Sequence, residues 1–512
     1  MAPRHRTSRT ERLTPLLAIW AVFALAMYIP AIHALVLDDY RTSRAFFYTG
    51  TMGLVLVALL ELARGSRQPR HGTLGQLLAL LATFTLIPVF LAVPVHDALR
   101  TTSFFNAYFD MVSAITTTGA DIYDDPGRLP PSLHLWRAEV AWLGGLLMWI
   151  AASAILAPLS LGGFEVTARG QPGHSVVLPG VSERADARRR LLSVTRTLVP
   201  VYGGLTLVLW ILQVTLGETA LVGLSHAMSV MATSGISPIG GTEMASAGIA
   251  GEFVLFLFMF FALSRMTFSG DTSTRGYARL DRDPEFRIGV LIVLGVPLLL
   301  FLRHWLGAFE VTDTAEITAQ ALRAFWGSMF TVMSYLTTTG FVSADWATAQ
   351  HWSGLGTPGL ILLGLAVMGG GVATTAGGVK LLRVYALYLN GLREMDQLIH
   401  PSAVRVESDR AQRIQRGGAF IAWISFMMFA LSIALITVVL TAMGTGFEDA
   451  LVLSIASLST TGPLIETASE ATIRLTELEA PAKTVLMAAM VIGRLEILAI
   501  VALLTPDLWR GR

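Results

Sequence analysis

Cysteine is absent from this 512-residue chain, charge is scarce and lysine is almost missing. Without cysteine there is no disulfide scaffold, no thiolate metal site and no cysteine nucleophile. Charged residues make up 14% of the chain and hydrophobic ones 53%, where a soluble protein carries about a quarter charged. With a mean hydropathy of +0.61, the chain is solvated mostly by lipid. Of 37 basic residues only Lys380 and Lys483 are lysines. A net charge of +1, with no basic block carrying interleaved aromatics, leaves no electrostatic footprint for nucleic acid. No nucleotide-binding glycine loop and no catalytic triad stands out. The apolar segments hold scarcely any clustered His, Asp or Glu, which argues against a membrane-embedded enzyme.

What the chain does have is apolar runs. Those near the length of a bilayer span, about 20 residues, lie near 15–36, 45–63, 73–94, 137–160, 191–216, 250–269, 287–306, 357–389 (interrupted), 418–443 and 482–505. The first follows Arg4, Arg6, Arg9 and Arg12 and exceeds a signal-peptide core of about 7–15 residues, so it reads as a retained helix. Arg64, Arg67 and Arg70 fall on the side of the N-terminus, as do Arg184, Arg188, Arg189 and Arg190. So do Arg275, Arg279, Arg282 and Arg287, and Arg405, Arg410, Arg413 and Arg416. The opposite side carries Asp121, Asp124, Asp125, Glu310, Asp313, Glu316, Glu466, Glu470, Glu477 and Glu479. The positive-inside rule therefore predicts a multi-pass protein with both termini cytoplasmic.

Between the spans lie four apolar runs too short to cross: Ser103–Ile115, Leu224–Met231, Ala324–Leu336 and Phe447–Leu458. Each leads into one polar phrase, centred on Gly119, Gly235, Gly340 and Gly462. A repeat of more than a hundred residues is a whole module. The pattern predicts an all-α fold: a tail and two peripheral spans in 1–70, then modules at 71–185, 186–282, 283–400 and 401–512. Each module reads as span, half-helix, loop, span. Non-helical backbone at membrane depth survives only where protein buries it or it lines water, so four such loops around one axis imply an aqueous path. A filter for a bare alkali cation needs oxygens that replace its hydration shell. Glycine allows the required backbone, threonine adds a hydroxyl and a stiff side chain, and each half-helix aims its partially negative end at the loop. The candidate ion-binding residues are Thr117, Thr118, Gly119 and Ala120; Thr233, Ser234, Gly235 and Ile236; Thr338, Thr339, Gly340 and Phe341; and Thr460, Thr461, Gly462 and Pro463.

A further stretch, Gly369 to Lys380, carries Gly369, Gly370, Gly371, Thr374, Thr375, Gly377 and Gly378. Glycine costs about 1 kcal/mol per residue in a helix interior, so this span is expected to unwind. Lys380 is either a chosen contact or chance. Arg494, near the middle of the run 482–505, faces a bundle interior or water-filled cavity, or pairs with Glu496 or another carboxylate. Asp110 and His226 either tune the field of the loops or hydrogen-bond structurally. Asp121 and Asp345 follow their loops on the outer side, where they would concentrate cations.

Together SYLTTTGFVSAD (334–345), DPEFR (283–287), GGGVATTAGGVK (369–380) and GRLEIL (493–498) resemble the Trk/Ktr/HKT potassium-transport superfamily. Within it the chain is most similar to bacterial Trk-type membrane subunits, and the resemblance covers nearly its whole length, including two extra N-terminal spans. It implies potassium uptake across the bacterial cytoplasmic membrane, because glycine at the centre of all four loops goes with potassium preference in that family. The fourth loop, Ser459–Leu464, departs from the asparagine-containing pattern of Trk subunits. The resemblance also implies that 369–380 is a mobile gate below the filter and that Arg494 projects into the pore. It implies a homodimer with one pore per chain, opened by a separate cytoplasmic TrkA-like regulatory subunit that binds NAD or ATP/ADP. This chain itself would bind no cofactor. The basic loops 182–196 and 405–416 would suit docking of that subunit, although the positive-inside rule also explains them. The rival reading is a proton- or sodium-coupled secondary carrier, whose repeats are usually inverted or twofold; a sodium-permeable family member is a further alternative.

Overall fold

The computed structural model describes residues 15–64, 73–123, 125–159, 161, 163–164, 183–264, 283–307, 314–354, 357–400, 416–469 and 473–504. Among these the regular structure is helical throughout and no strand occurs. Three helices precede the repeats: α1 (Pro15–Ala26), α2 (Tyr28–Val36) and α3 (Tyr40–Arg64). α1 and α2 form one apolar span, and α3 packs back on both.

The first repeat holds α4 (Thr73–Thr85), α5 (Ile87–Ala98), α6 (Phe104–Ile115) and α7 (Pro131–Ala151). The second holds α8 (Glu183–Thr215), α9 (Ala220–Ala232) and α10 (Gly248–Met259). In the third come α11 (Pro284–Gly307), α12 (Thr314–Leu336), α13 (Trp346–Ser353), α14 (Gly359–Met368) and α15 (Leu381–Ile399). The fourth comprises α16 (Arg416–Ala442), α17 (Phe447–Leu458), α18 (Leu464–Ala468), α19 (Ala480–Leu495) and α20 (Ile497–Leu504). The half-helices are α6, α9, α12 and α17. At the head of α6 the Ser103 hydroxyl accepts the Asn106 N–H, an N-cap.

Among the described residues seven helices are long and apolar enough to cross a membrane, and they match seven of the ten runs read from the sequence. The other three are not continuous helices, as was expected only of the run over 357–389. The run expected over 250–269 is α-helical only to Met259 and continues as a 3-10 turn through Ala262; residues 265–269 lie outside the described set. The run over 357–389 stops at Met368 and resumes at Leu381. The run over 482–505 is not continuous, because Glu496 adopts a left-handed φ of 66° between α19 and α20. The third half-helix also starts earlier than expected, at Thr314 rather than Ala324. Its added turns, Thr314–Arg323, are rich in Ala, Glu and Gln, strong helix formers.

The second helices close the assembly. α7 packs between α6 and α9, α10 between α9 and α12, α14 between α12 and α17, and α19 between α17 and α6. Each is thus a wedge between its own half-helix and the next, which gives a pseudo-fourfold ring in chain order. All four lose regular α geometry after that contact: α7 enters a π turn at Ala152–Leu156, and the others end as just described. Most of the arginines that orient the chain, including Arg67, Arg70, Arg275, Arg279, Arg282, Arg405, Arg410 and Arg413, lie outside the described residues. So do Asp124, Glu310, Asp313 and Glu470.

Candidate cation site and the loop beneath it

Each half-helix ends in the same hydrogen-bond pattern. The N–H groups of Thr117, Thr233, Thr338 and Thr460 donate to the carbonyls of Ala114, Val230, Tyr335 and Ser457 at 2.9, 3.2, 3.1 and 3.3 Å. The next N–H groups, of Thr118, Ser234, Thr339 and Thr461, reach back to Ser113, Ser229, Ser334 and Ala456 at 2.9, 3.0, 2.8 and 2.8 Å. This is the Schellman end of a helix, where glycine usually takes the left-handed position. Here a threonine does, with φ of 55°, 53°, 57° and 54° at Thr117, Thr233, Thr338 and Thr460. A β-branched residue in that region is a genuine outlier and costs of order 1–3 kcal/mol. Four identical outliers on four separate segments mark one shared geometry.

The loops touch in a closed circuit. A Cβ added at Gly119 would lie 1.8 Å from the Ser234 carbonyl oxygen, and one at Gly235 would lie 2.4 Å from that of Thr339. One at Gly340 would meet Pro463 Cγ at 2.8 Å, and one at Gly462 would meet Ala120 N at 2.1 Å. So the first loop touches the second, the second the third, the third the fourth, and the fourth the first. All sixteen residues singled out in the sequence lie on this ring. Thr116, Thr337 and Ser459 hold the hydroxyls of Thr118, Thr339 and Thr461 at 2.8, 3.0 and 3.2 Å, turning those side chains back on the half-helices. What remain are backbone oxygens and the unpartnered hydroxyls of Thr117 and Thr460. Among the described residues no donor reaches the carbonyls of Gly119, Ser234, Gly235, Thr339 or Gly340. Buried carbonyls are nearly always paired, so this cluster of bare oxygens has the chemistry to replace water around a cation.

The ring is not four equal parts. Gly119, Gly235 and Gly340 are left-handed, with φ of 68°, 66° and 86°, whereas Gly462 is not. Pro463 follows it and starts a helical turn, so the Thr461 and Gly462 carbonyls accept from Leu464 and Ile465 N–H at 3.2 and 2.9 Å. The Gly462 N–H itself donates to the Thr118 carbonyl at 2.6 Å. The fourth phrase therefore supplies contact and closure, and its two carbonyls are occupied within the protein. The departure of the fourth loop seen in the sequence thus has a structural counterpart in the turn that Pro463 starts.

Beneath the ring, on the side of the left-handed threonines, lies the non-helical segment 369–380. The Gly377 N–H donates to the Thr338 hydroxyl at 2.7 Å, and the Thr375 hydroxyl donates to the Met231 carbonyl at 3.1 Å. A Cβ at Gly377 would lie 2.0 Å from the Ser459 carbonyl oxygen, so nothing larger fits between this segment and the fourth loop. Gly369, Gly370 and Gly371 form its near limb, with Gly371 N–H bonded to the Ala262 carbonyl at 2.9 Å and the Thr374 hydroxyl to Gly371 at 2.8 Å. Gly378 and Lys380 form the far limb, and the Lys380 ammonium donates to the Ala376 carbonyl inside the segment. Lys380 is thus an internal contact. Arg494, at the end of α19, donates from Nη1 to the Thr375 carbonyl at 2.6 Å, while its Nε and Nη2 have no partner. Glu496 pairs instead with Arg383 at 2.7 Å. A small cavity lies here, lined among others by Met148, Gly377, Lys380, Arg494 and Glu496.

On the other side of the ring, Asp110 and Asp121 both bind Arg137, and His226 bonds the Ser237 hydroxyl at 2.8 Å. Asp121 is therefore charge-paired, not a free attractor of cations. Asp345 precedes α13 without capping it. Several residues that the sequence reading missed position the loops. Arg137 is one. Glu252, from α10, accepts from Ser343 Oγ, Ala344 N–H and Trp326 Nε1 at 2.7, 2.7 and 2.9 Å. Glu285, in the DPEFR stretch, accepts the Val372 N–H at 2.9 Å. The hydroxyls of Ser113 and Ser229 hold the carbonyls of Ala120 and Ile236. The serines carried a signal: each stands six positions before a loop glycine, as Ser334 does, with Ala456 the exception.

Such a ring, carried on four half-helices in an all-α membrane protein, defines the pore-loop class of polytopic transport proteins. Comparison with known proteins narrows this. Residues 82–508 match the TrkH family, described as a cation transport protein, and the chain belongs to that family. It is 31% identical over 410 residues to the Trk system potassium uptake protein TrkH of Halomonas elongata, covering 79% of each chain. To the protein of that name from Escherichia coli K12 it is 28% identical over 519 residues, 98% of each. The crystal structure of the potassium transporter TrkH from Vibrio parahaemolyticus aligns with a TM-score of 0.78 at 25% identity, covering 97% of this chain and 98% of that one.

Proposed function

We propose that this chain takes up potassium across the cytoplasmic membrane through one gated pore, with the ring as its selectivity filter and both termini cytoplasmic. The observation that carries the reading is the closed circuit of four loops at the ends of four half-helices, with the carbonyls around the first three glycines left bare. Those oxygens substitute for the ion's hydration shell, and the partially negative helix ends favour positive charge at the same place. The printed names of the relatives support potassium as the cargo. The sixteen ring residues form the ion site in this reading, the first three loops through their bare carbonyls and the fourth mainly by closing the ring, and the repeats divide near residues 71, 186, 283 and 401.

In this reading segment 369–380 is the gate, and Arg494 is a fixed positive charge beneath the filter that opposes a waiting cation. Opening must break the bonds Gly377–Thr338, Thr375–Met231 and Arg494–Thr375. Each contributes about 0.5–1.5 kcal/mol net. That total of a few kcal/mol is comparable to allosteric coupling energies of about 1–3 kcal/mol, so a partner binding the two states unequally can drive it. A cytoplasmic TrkA-like subunit carrying NAD or ATP/ADP, acting on a homodimer, fits this requirement. The test is complementation of potassium-uptake-deficient bacteria, comparing the wild-type chain with Gly119→Ser. Wild type should support growth at low potassium and the variant should not. A wild type that reaches the membrane beside a suitable regulatory subunit, yet gives no growth, overturns the assignment.

A further inference from the structure

Arg137 lies almost wholly inside the protein, 2% exposed, and its guanidinium joins two carboxylates on either side of the first loop. Nε meets Asp110 Oδ1 on α6 at 2.9 Å; Nη2 and Nη1 meet Asp121 Oδ1 and Oδ2 at 3.0 and 3.2 Å, two residues past Gly119. Asp110 is 1% exposed, and its second oxygen, Oδ2, has no partner. The Tyr123 ring faces the guanidinium at 5.6 Å, and the Tyr123 N–H caps Asp121 at 2.9 Å. The other three loops have no counterpart: His226, Glu252 and the turn of α18 do the positioning there.

Two carboxylates converging on one point, with an oxygen to spare, supply the charged part of a donor set for a hard divalent cation such as calcium, water completing the coordination. We propose that the Arg137 guanidinium is a tethered occupant of a two-carboxylate cation site beside the filter entrance, which keeps divalent cations from binding there. The proposal rests on the reading of the ring as a potassium filter. A guanidinium fork satisfies both carboxylates at once and cannot exchange with solution, so an entering ion meets the carbonyl ring as its first tight site. Positioning of the loop alone would not require a cation, since a neutral hydrogen-bond donor could brace Asp121 as Ser237 braces His226.

The experiment titrates calcium into the purified full-length chain by calorimetry and measures potassium uptake in cells against external calcium. R137Q should bind one calcium ion that wild type does not, and its uptake should fall with external calcium at concentrations that leave wild type unaffected. The triple variant D110N/D121N/R137Q should lose both properties. R137M also removes the charge and keeps an unbranched side chain, so it should bind calcium as R137Q does; it carries the test if R137Q does not fold. Folded R137Q without calcium affinity overturns the proposal, as does folded R137M without it where R137Q fails. Failure of wild type to carry potassium would instead strike the filter assignment, because the calorimetric arm reads the site independently of flux.

Discussion

The first three loops and the fourth solve one problem in different ways, and the difference separates binding from bracing. In the first two, a serine hydroxyl from the half-helix holds the carbonyl just past the glycine. In the third, Ser334 Oγ has no partner, and Glu252 grips the chain from outside at Ser343 and Ala344. In the fourth, Ala456 offers no hydroxyl, but the equivalent carbonyl, of Pro463, accepts from Glu466 N–H and Thr467 Oγ1, both at 3.2 Å. Three loops leave the carbonyls around their glycines bare, while the fourth folds those of Thr461, Gly462 and Pro463 into α18. At the level of the glycines, three loops offer open carbonyls and the fourth braces them.

The comparison breaks most sharply between Arg494, under the ring, and the ring itself. Arg494→Ala removes the fixed charge and the bond to Thr375, so basal potassium flux without the regulatory subunit should rise several-fold or more; flux at or below wild type in equally expressing cells counts against the barrier. A smaller effect should distinguish equivalent threonines. Thr338→Val leaves the buried Gly377 N–H unpaired, which costs about 1–3 kcal/mol in the closed state, whereas Thr117 Oγ1 has no partner to lose. Leak currents should therefore increase in Thr338→Val and stay near wild type in Thr117→Val. Equal leak in both would mean that Gly377 does not hold the gate. The smallest effect concerns the braces: Ser113→Ala loses a bond worth about 0.5–1.5 kcal/mol and should narrow the preference for potassium over sodium, while Ala456→Ser should change it little. Competition uptake with rubidium and sodium reads both.

Hydropathy made the spans and three of the four half-helices legible, because lipid forces apolar length to match bilayer depth. The loops were legible through their repeated glycine. The inequality of the fourth was present in one residue, since proline is favoured at the first position of a helix and Pro463 directly follows Gly462. The breaks in α7 and at Glu496 left no comparable mark. Glu496 sits where it does because Arg383, 113 positions away, holds it, and no local pattern encodes such a pairing. Arg137 was equally opaque: its partner Asp110 lies 27 positions off, and arginine is the background cation of this chain. Charge near the loops could be counted in the sequence, but its cancellation could not.

The hydrogen bond from Gly462 to Thr118 joins the last loop to the first. It cannot form until the fourth repeat has left the ribosome and entered the bilayer, long after the first has been inserted. A nascent chain with two or three repeats has no completed circuit and no ion-sized ring of oxygens. Closure of the ring therefore becomes possible only after segment 369–380, which bonds Thr338 and Met231 beneath it, has already been made.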